Sequence, residues 1–62
     1  MKLKSKDYSR GYENGRKVYY KGKGRYFNER YIPKDIVEKL EYIDGWLNGW
    51  DDAQKEDITV NT

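Results

Sequence analysis

The chain has 62 residues and a formal net charge of +2, from 13 basic and 11 acidic side chains; charged residues make up 39% of it and hydrophobic ones 35%. A chain this short forms one domain at most and buries only about 60% of its unfolded surface. It holds no cysteine and no histidine, which excludes disulfide staples, Cys/His zinc sites, cysteine nucleophiles and histidine general bases.

Ser5 has the side chain of an N-cap, and Asp7 follows in the expected first turn. Tyr8, Gly11, Tyr12, Gly15, Val18 and Tyr19 then fall on one side at helical spacing, which predicts a first helix. Its two glycines cost about 1 kcal/mol each against alanine, so packing must hold it. Residues 20–32 are expected as a loop around the flexible, basic Lys21-Gly22-Lys23-Gly24-Arg25. The alternative for residues 18–27 is a short β-hairpin pairing Val18-Tyr19-Tyr20 with Arg25-Tyr26-Phe27. Further on, Ile36, Leu40, Ile43, Leu47 and Trp50 step by four and three. This predicts a second helix over about residues 33–54, with Pro33 in its first turn and Asp35 and Glu38 near the positive end of its dipole. Residues 55–62 lack a period and are expected as a flexible tail to a single domain over residues 1–54.

An internal echo joins the two helices. Tyr8-Ser-Arg-Gly11-Tyr12-Glu-Asn14-Gly15 returns 34 residues later as Tyr42-Ile-Asp-Gly45-Trp46-Leu-Asn48-Gly49. Glycines four apart on a helix let a second backbone approach closely, with neighbouring aromatics packing over the crossing. The expected fold is therefore all-α: an antiparallel two-helix hairpin crossing at Gly11/Gly15 and Gly45/Gly49, joined by a long basic loop. One hairpin buries little apolar surface, so a homodimer or a host protein is the expected means of completing the core. The low hydropathy argues for disorder, but ten aromatics, 16% of the chain, argue for folding.

The near-neutral total hides a polarity. Residues 1–34 carry eleven Lys/Arg and three acids, whereas residues 35–62 carry two lysines and eight acids. The basic half alternates cations with rings: Arg10, Arg16, Lys17, Lys21, Lys23, Arg25 and Arg30 with Tyr19, Tyr20, Tyr26, Phe27 and Tyr31. Cations neutralise phosphates and release counterions, and rings stack on unpaired bases. Single-stranded or looped RNA suits this mixture better than duplex DNA. The expected RNA contacts are Arg10, Arg16, Lys17, Tyr19, Tyr20, Lys21, Lys23, Arg25, Tyr26, Phe27 and Arg30. The competing reading is a solvated basic loop whose tyrosines cover a small core.

The residues Arg10-Gly11-Tyr12-x-x-Gly15 and Trp46-Leu47-x-Gly49-Trp50-x-x-Ala53 resemble the ribosome modulation factor family of small, basic, two-helix bacterial proteins. The resemblance spans about residues 8–53. It departs from the family ahead of the second helix, where Tyr31-Ile32-Pro33 keeps only the proline of a Cys-Pro-Tyr element, and in a longer connecting segment and an acidic tail. The resemblance implies binding near ribosomal RNA on the small ribosomal subunit and modulation of translation.

Catalysis is not expected. Ser5, Ser9, Thr59 and Thr62 have no histidine to activate them, and Lys21-Gly22-Lys23-Gly24 lacks the length and the Lys-Ser/Thr of a phosphate-binding loop. No cofactor or metal site is expected, since the carboxylates lack calcium-loop spacing. No apolar run can span a membrane or serve as a signal peptide, which makes the cytoplasm the default location. The alternative function is a small inhibitor of a host enzyme or defence factor, of the kind a phage encodes. It would dock through Trp46, Trp50 and an acidic face of Glu38, Glu41, Asp44, Asp51 and Asp52. The plainer reading of the two tryptophans is core packing.

Overall fold

Ser5 caps the first helix as its side chain suggests. In the computed structural model, which describes residues 5–60, the Ser5 hydroxyl accepts a hydrogen bond from Tyr8 N at 3.1 Å. Helix α1 runs over Lys6–Tyr20. It ends because Gly22 adopts a left-handed φ of 83°, so that Gly22 N bonds back to Tyr19 O and Lys23 N to Val18 O. These two bonds satisfy carbonyls that the helix end leaves open. A short 3₁₀ turn covers Glu29–Tyr31, and helix α2 covers Lys39–Val60. No strand occurs among the described residues, so residues 18–27 form the helix end and loop rather than the β-hairpin alternative. No helix among them is long and apolar enough to cross a membrane.

The helices meet at the glycines the echo marks. A Cβ placed on Gly11 would overlap Tyr42 O and lie 2.9 Å from its carbonyl carbon; one on Gly15 would do the same to Trp46, at 2.8 Å. Reciprocally, a Cβ on Gly45 would overlap Tyr8 O and one on Gly49 would overlap Tyr12 O. Only hydrogen at these four positions allows backbone to touch backbone.

The direction of the pair differs from expectation. Gly11 faces Tyr42 and Trp46, and Gly15, one turn on, faces Trp46 and Trp50. Ser5 at the start of α1 reaches Glu41 at the start of α2, and Tyr19 near the end of α1 reaches Asp57 near the end of α2. The helices therefore run parallel, not antiparallel. The reason is the eighteen residues between them. They are enough to return along the full length of α1, about 22 Å at 1.5 Å per residue, whereas a short connection would have forced a reversal.

That return path makes the core. Phe27, Tyr31, Ile32 and Ile36 descend over the helix pair. Phe27 meets Trp46 edge to face at 5.2 Å and Tyr31 stacks on it at 5.7 Å, while Ile36 is buried beside Tyr42 and Trp46. Tyr42 and Trp46 are 0% exposed. At about 200 Å² and 25 cal/mol/Å² each, they contribute about 5 kcal/mol apiece as an upper estimate. Tyr42 also ties the layers together: its hydroxyl donates to Tyr31 O at 2.9 Å and accepts from Asn14 Nδ2 at 2.7 Å. Tyr42→Phe is expected to lower stability by about 1–2 kcal/mol in a denaturant titration, since two groups lose their partner at once.

Three further expectations are corrected. Helix α2 starts at Lys39, not near Pro33, because the chain must first turn to bury Ile36, and Asp7 of α1 accepts from the backbone N–H groups of Val37 and Glu38 at that turn. Its buried face is Tyr42, Gly45, Trp46, Gly49 and Ala53. The expected apolar stripe lies a step to one side of this, with Leu40 81% exposed. Close backbone approach selects small residues, and the large aliphatic ones then flank the crossing. At the other end α2 continues through Val60. Residues 55–60 are thus helical rather than a tail, held by polar contacts from Arg16, Tyr19 and Tyr20. Residues 1–4, 61 and 62 of the expected domain and tail lie outside the described residues.

Candidate nucleic-acid interface

Parallel packing brings the basic half alongside the acidic half, and part of each is used up internally. Arg10 pairs with Asp35 at 2.8 Å, Arg16 with Glu56 at 2.9 Å, and Arg25 with Asp51 in a two-pronged contact at 2.8 and 3.0 Å. The rings follow the same pattern. Tyr19 donates to Asp57 and meets Trp50 edge to face, Tyr20 donates to Glu56, and Tyr12 donates to Asp52. Phe27 packs on Trp46. Of the eleven expected RNA contacts, Arg10, Arg16, Arg25, Tyr19, Tyr20 and Phe27 are thus engaged within the fold. Lys17, Lys21, Lys23, Arg30 and Tyr26 are exposed, and Tyr26 is 84% exposed. None of these four cations takes part in an ion pair among the described residues.

The engaged groups set a pH window. The Arg10 guanidinium holds the Asp35 carboxyl below its usual range, and Arg16, helped by the Tyr20 hydroxyl, does the same to Glu56. These carboxylates stabilise the fold above their ordinary range near pH 4, and the stabilisation is lost as pH falls through their depressed values. The hydrogen bond to Asp52 raises Tyr12, that to Asp57 raises Tyr19, and desolvation with the Glu56 bond raises Tyr20. Their contribution is fully present below the ordinary tyrosine value of about 10 and is lost as pH rises through the raised ones. Thermal melting should accordingly show a plateau between about pH 5 and 10, with Tm falling on both sides.

The exposed lysines border a cleft of about 240 Å³ between the end of α1 and the returning segment, lined by Lys17, Lys21 and Lys23 and floored by Asn14, Val18, Tyr31, Tyr42 and Trp46. Sequence reading missed Asn14 and Tyr42 as lining residues, although both sit in the echo, because charge marks the cations alone. The two tryptophans do not offer the docking anchors of the inhibitor reading: Trp46 is fully buried, and Trp50 is partly buried with its indole N–H donating to Lys23 O at 3.0 Å. On the acidic face, Asp51 and Asp52 serve Arg25 and Tyr12, and Glu41 accepts from Ser5. Glu38 and Asp44 are exposed. Of the residues that carry the family resemblance, Gly11, Tyr12, Gly15, Trp46, Gly49, Trp50 and Ala53 lie at or beside the helix contact, Leu47 packs against the core, and Arg10 pairs with Asp35. No protein-family model, curated protein or solved structure matches the chain.

Proposed function

We propose that this protein is a non-catalytic RNA-binding protein that grips a single-stranded or looped segment through Lys17, Lys21, Lys23 and Arg30, with Tyr26 as a stacking ring. The observation that carries this reading is a division of labour among the cations. Arg10, Arg16 and Arg25 are spent on the protein's own carboxylates, while three lysines outside any ion pair among the described residues share one cleft. Arg30 stands next to Tyr31, which also lines that cleft. Lysine ammonium groups neutralise phosphates without demanding fixed geometry, and an exposed ring offers a stacking face to any base. The resemblance to ribosome modulation factors favours RNA of the small ribosomal subunit as the target, with occlusion of a functional surface as the means of modulating translation.

The salt dependence tests this. Four phosphate contacts to a single strand give a slope near −2.8 in log K against log salt. Binding of an unstructured RNA should therefore weaken about 50-fold between 50 and 200 mM salt. A change of less than about 5-fold, or no binding at low salt, would sink the reading.

A further inference from the structure

Two large aliphatic side chains stand open at one end of the molecule. Val37 is 83% exposed and Leu40 is 81% exposed. They sit three residues apart where α2 begins. Single apolar side chains are ordinary on a surface, whereas neighbouring ones inside a polar rim mark a contact surface. Here the rim is acidic. Residues 35–44 carry four acids and one lysine. Glu38 and Asp44 are exposed and in no ion pair among the described residues. The Asp7 carboxylate joins them, accepting from the backbone N–H groups of Val37 and Glu38. Lys34 and Lys39 lie along a groove with Glu29, Ile32 and Pro33.

The converse surface stands at the other end. Tyr26 is 84% exposed, and residues 21–26 carry three cations and no acid. Lys21 follows the end of α1, whereas the start of α2 lies beside the start of α1, where Ser5 donates to Glu41. The 15 residues of α1 put about 22 Å between those ends, so the two surfaces do not meet within one copy. We propose that they meet between copies: Tyr26 of one chain covers Val37 and Leu40 of the next, with Lys21 and Lys23 facing Glu38 and Asp44. The apolar contact supplies the affinity, because exposed charge pairs contribute little, while the charges set the orientation. Tyrosine suits this role, being enriched among the residues that anchor interfaces. Since the two surfaces differ, the contact is head-to-tail and repeats from copy to copy. One ring over two aliphatic side chains makes a small interface, of the transient class below about 1,200 Å². Lys21, Lys23 and Tyr26 are also the proposed RNA contacts, so RNA and a second copy exclude each other; that consequence rests on the RNA reading, and the self-contact does not.

Sedimentation equilibrium of the full chain, from about 0.05 to about 1 mM protein at about 50 mM salt, tests this at the concentrations a transient contact needs. The mean mass should rise with concentration above the 7.5 kDa of one chain. Leu40→Asp and Tyr26→Asp should each stay at one chain mass and melt like wild type, because both side chains stand in solvent. Mixed together, the two variants should approach twice the chain mass and go no further, since each supplies the surface the other lacks. A wild-type chain that stays single at 1 mM overturns the proposal and leaves Val37 and Leu40 to a different protein. Association of Tyr26→Asp by itself overturns it in favour of the apolar end pairing with its own copy, and a mixture that stays single overturns it outright. Unstructured RNA should return the wild type to single copies. If RNA binds with the steep salt dependence while association persists, the proposal falls and the RNA reading stands. If RNA does not bind and the mixed variants pair, the RNA reading falls and the self-contact stands.

Discussion

Gly15→Ala and Gly49→Ala should each abolish the cooperative thermal transition. A methyl group on Gly15 would overlap Trp46 O and sit 2.8 Å from its carbonyl carbon and 3.0 Å from Trp50 N; on Gly49 it would overlap Tyr12 O and lie 2.8 Å from that residue's carbonyl carbon. These obstacles are backbone atoms inside a second helix, which cannot rotate away as a side chain would. The helices must separate instead, and Tyr42 and Trp46 lose the contact that seals them. Alanine gains about 1 kcal/mol of helix propensity over glycine, whereas forced overpacking costs about 1–3 kcal/mol even where the core can shift, and more where backbone blocks it. A 62-residue domain holds only about 3–9 kcal/mol in all, so the overpacking outweighs the gain in propensity and takes a large share of the total. Circular dichroism on heating is the measurement. Wild-type melting in both variants would mean that the backbones do not touch at the glycines.

A Lys17→Ala/Lys21→Ala/Lys23→Ala variant should lose RNA affinity by about 100-fold at 0.1 M salt while keeping its fold. Each phosphate contact to a single strand releases about 0.7 of a counterion, worth about 1 kcal/mol at that concentration, so three contacts contribute about 3 kcal/mol. The salt slope should fall from about −2.8 toward −0.7, leaving Arg30. All three side chains are exposed and none takes part in an ion pair among the described residues, so melting should hardly change. Arg10→Ala, Arg16→Ala and Arg25→Ala are the contrast. Each removes a partner from a carboxylate on the protein itself, a solvent-screened surface pair that adds little to stability, and should leave RNA affinity nearly unchanged. If the arginine variants lose affinity and the lysine variant does not, the assignment of contacts is reversed.

Charge and composition made the basic half visible in the sequence but not how its members divide. Arginine and lysine look alike in a count. Which of them meets a carboxylate depends on how α1, the returning segment and α2 come together. Arg16 reaches Glu56, 40 residues away, only because the helices run parallel. The cleft was hidden for a similar reason. Lys17, Asn14 and Val18 come from α1, Lys23 and Tyr31 from the returning segment, and Tyr42 and Trp46 from α2. No local pattern joins three such segments.

What the sequence determined by itself was local or repeated: the Ser5 cap, two helices with a basic loop between them, and close contact at Gly11, Gly15, Gly45 and Gly49. These depend on backbone chemistry and on side-chain size, which each residue carries with it. Tertiary structure alone decided the direction of the pair, the buried face of α2, and which cations the protein's own carboxylates engage. Glycine notches admit either direction equally. The choice falls to the long connecting segment, whose Phe27, Tyr31 and Ile36 can cover Tyr42 and Trp46 only by running back along the helices it joins.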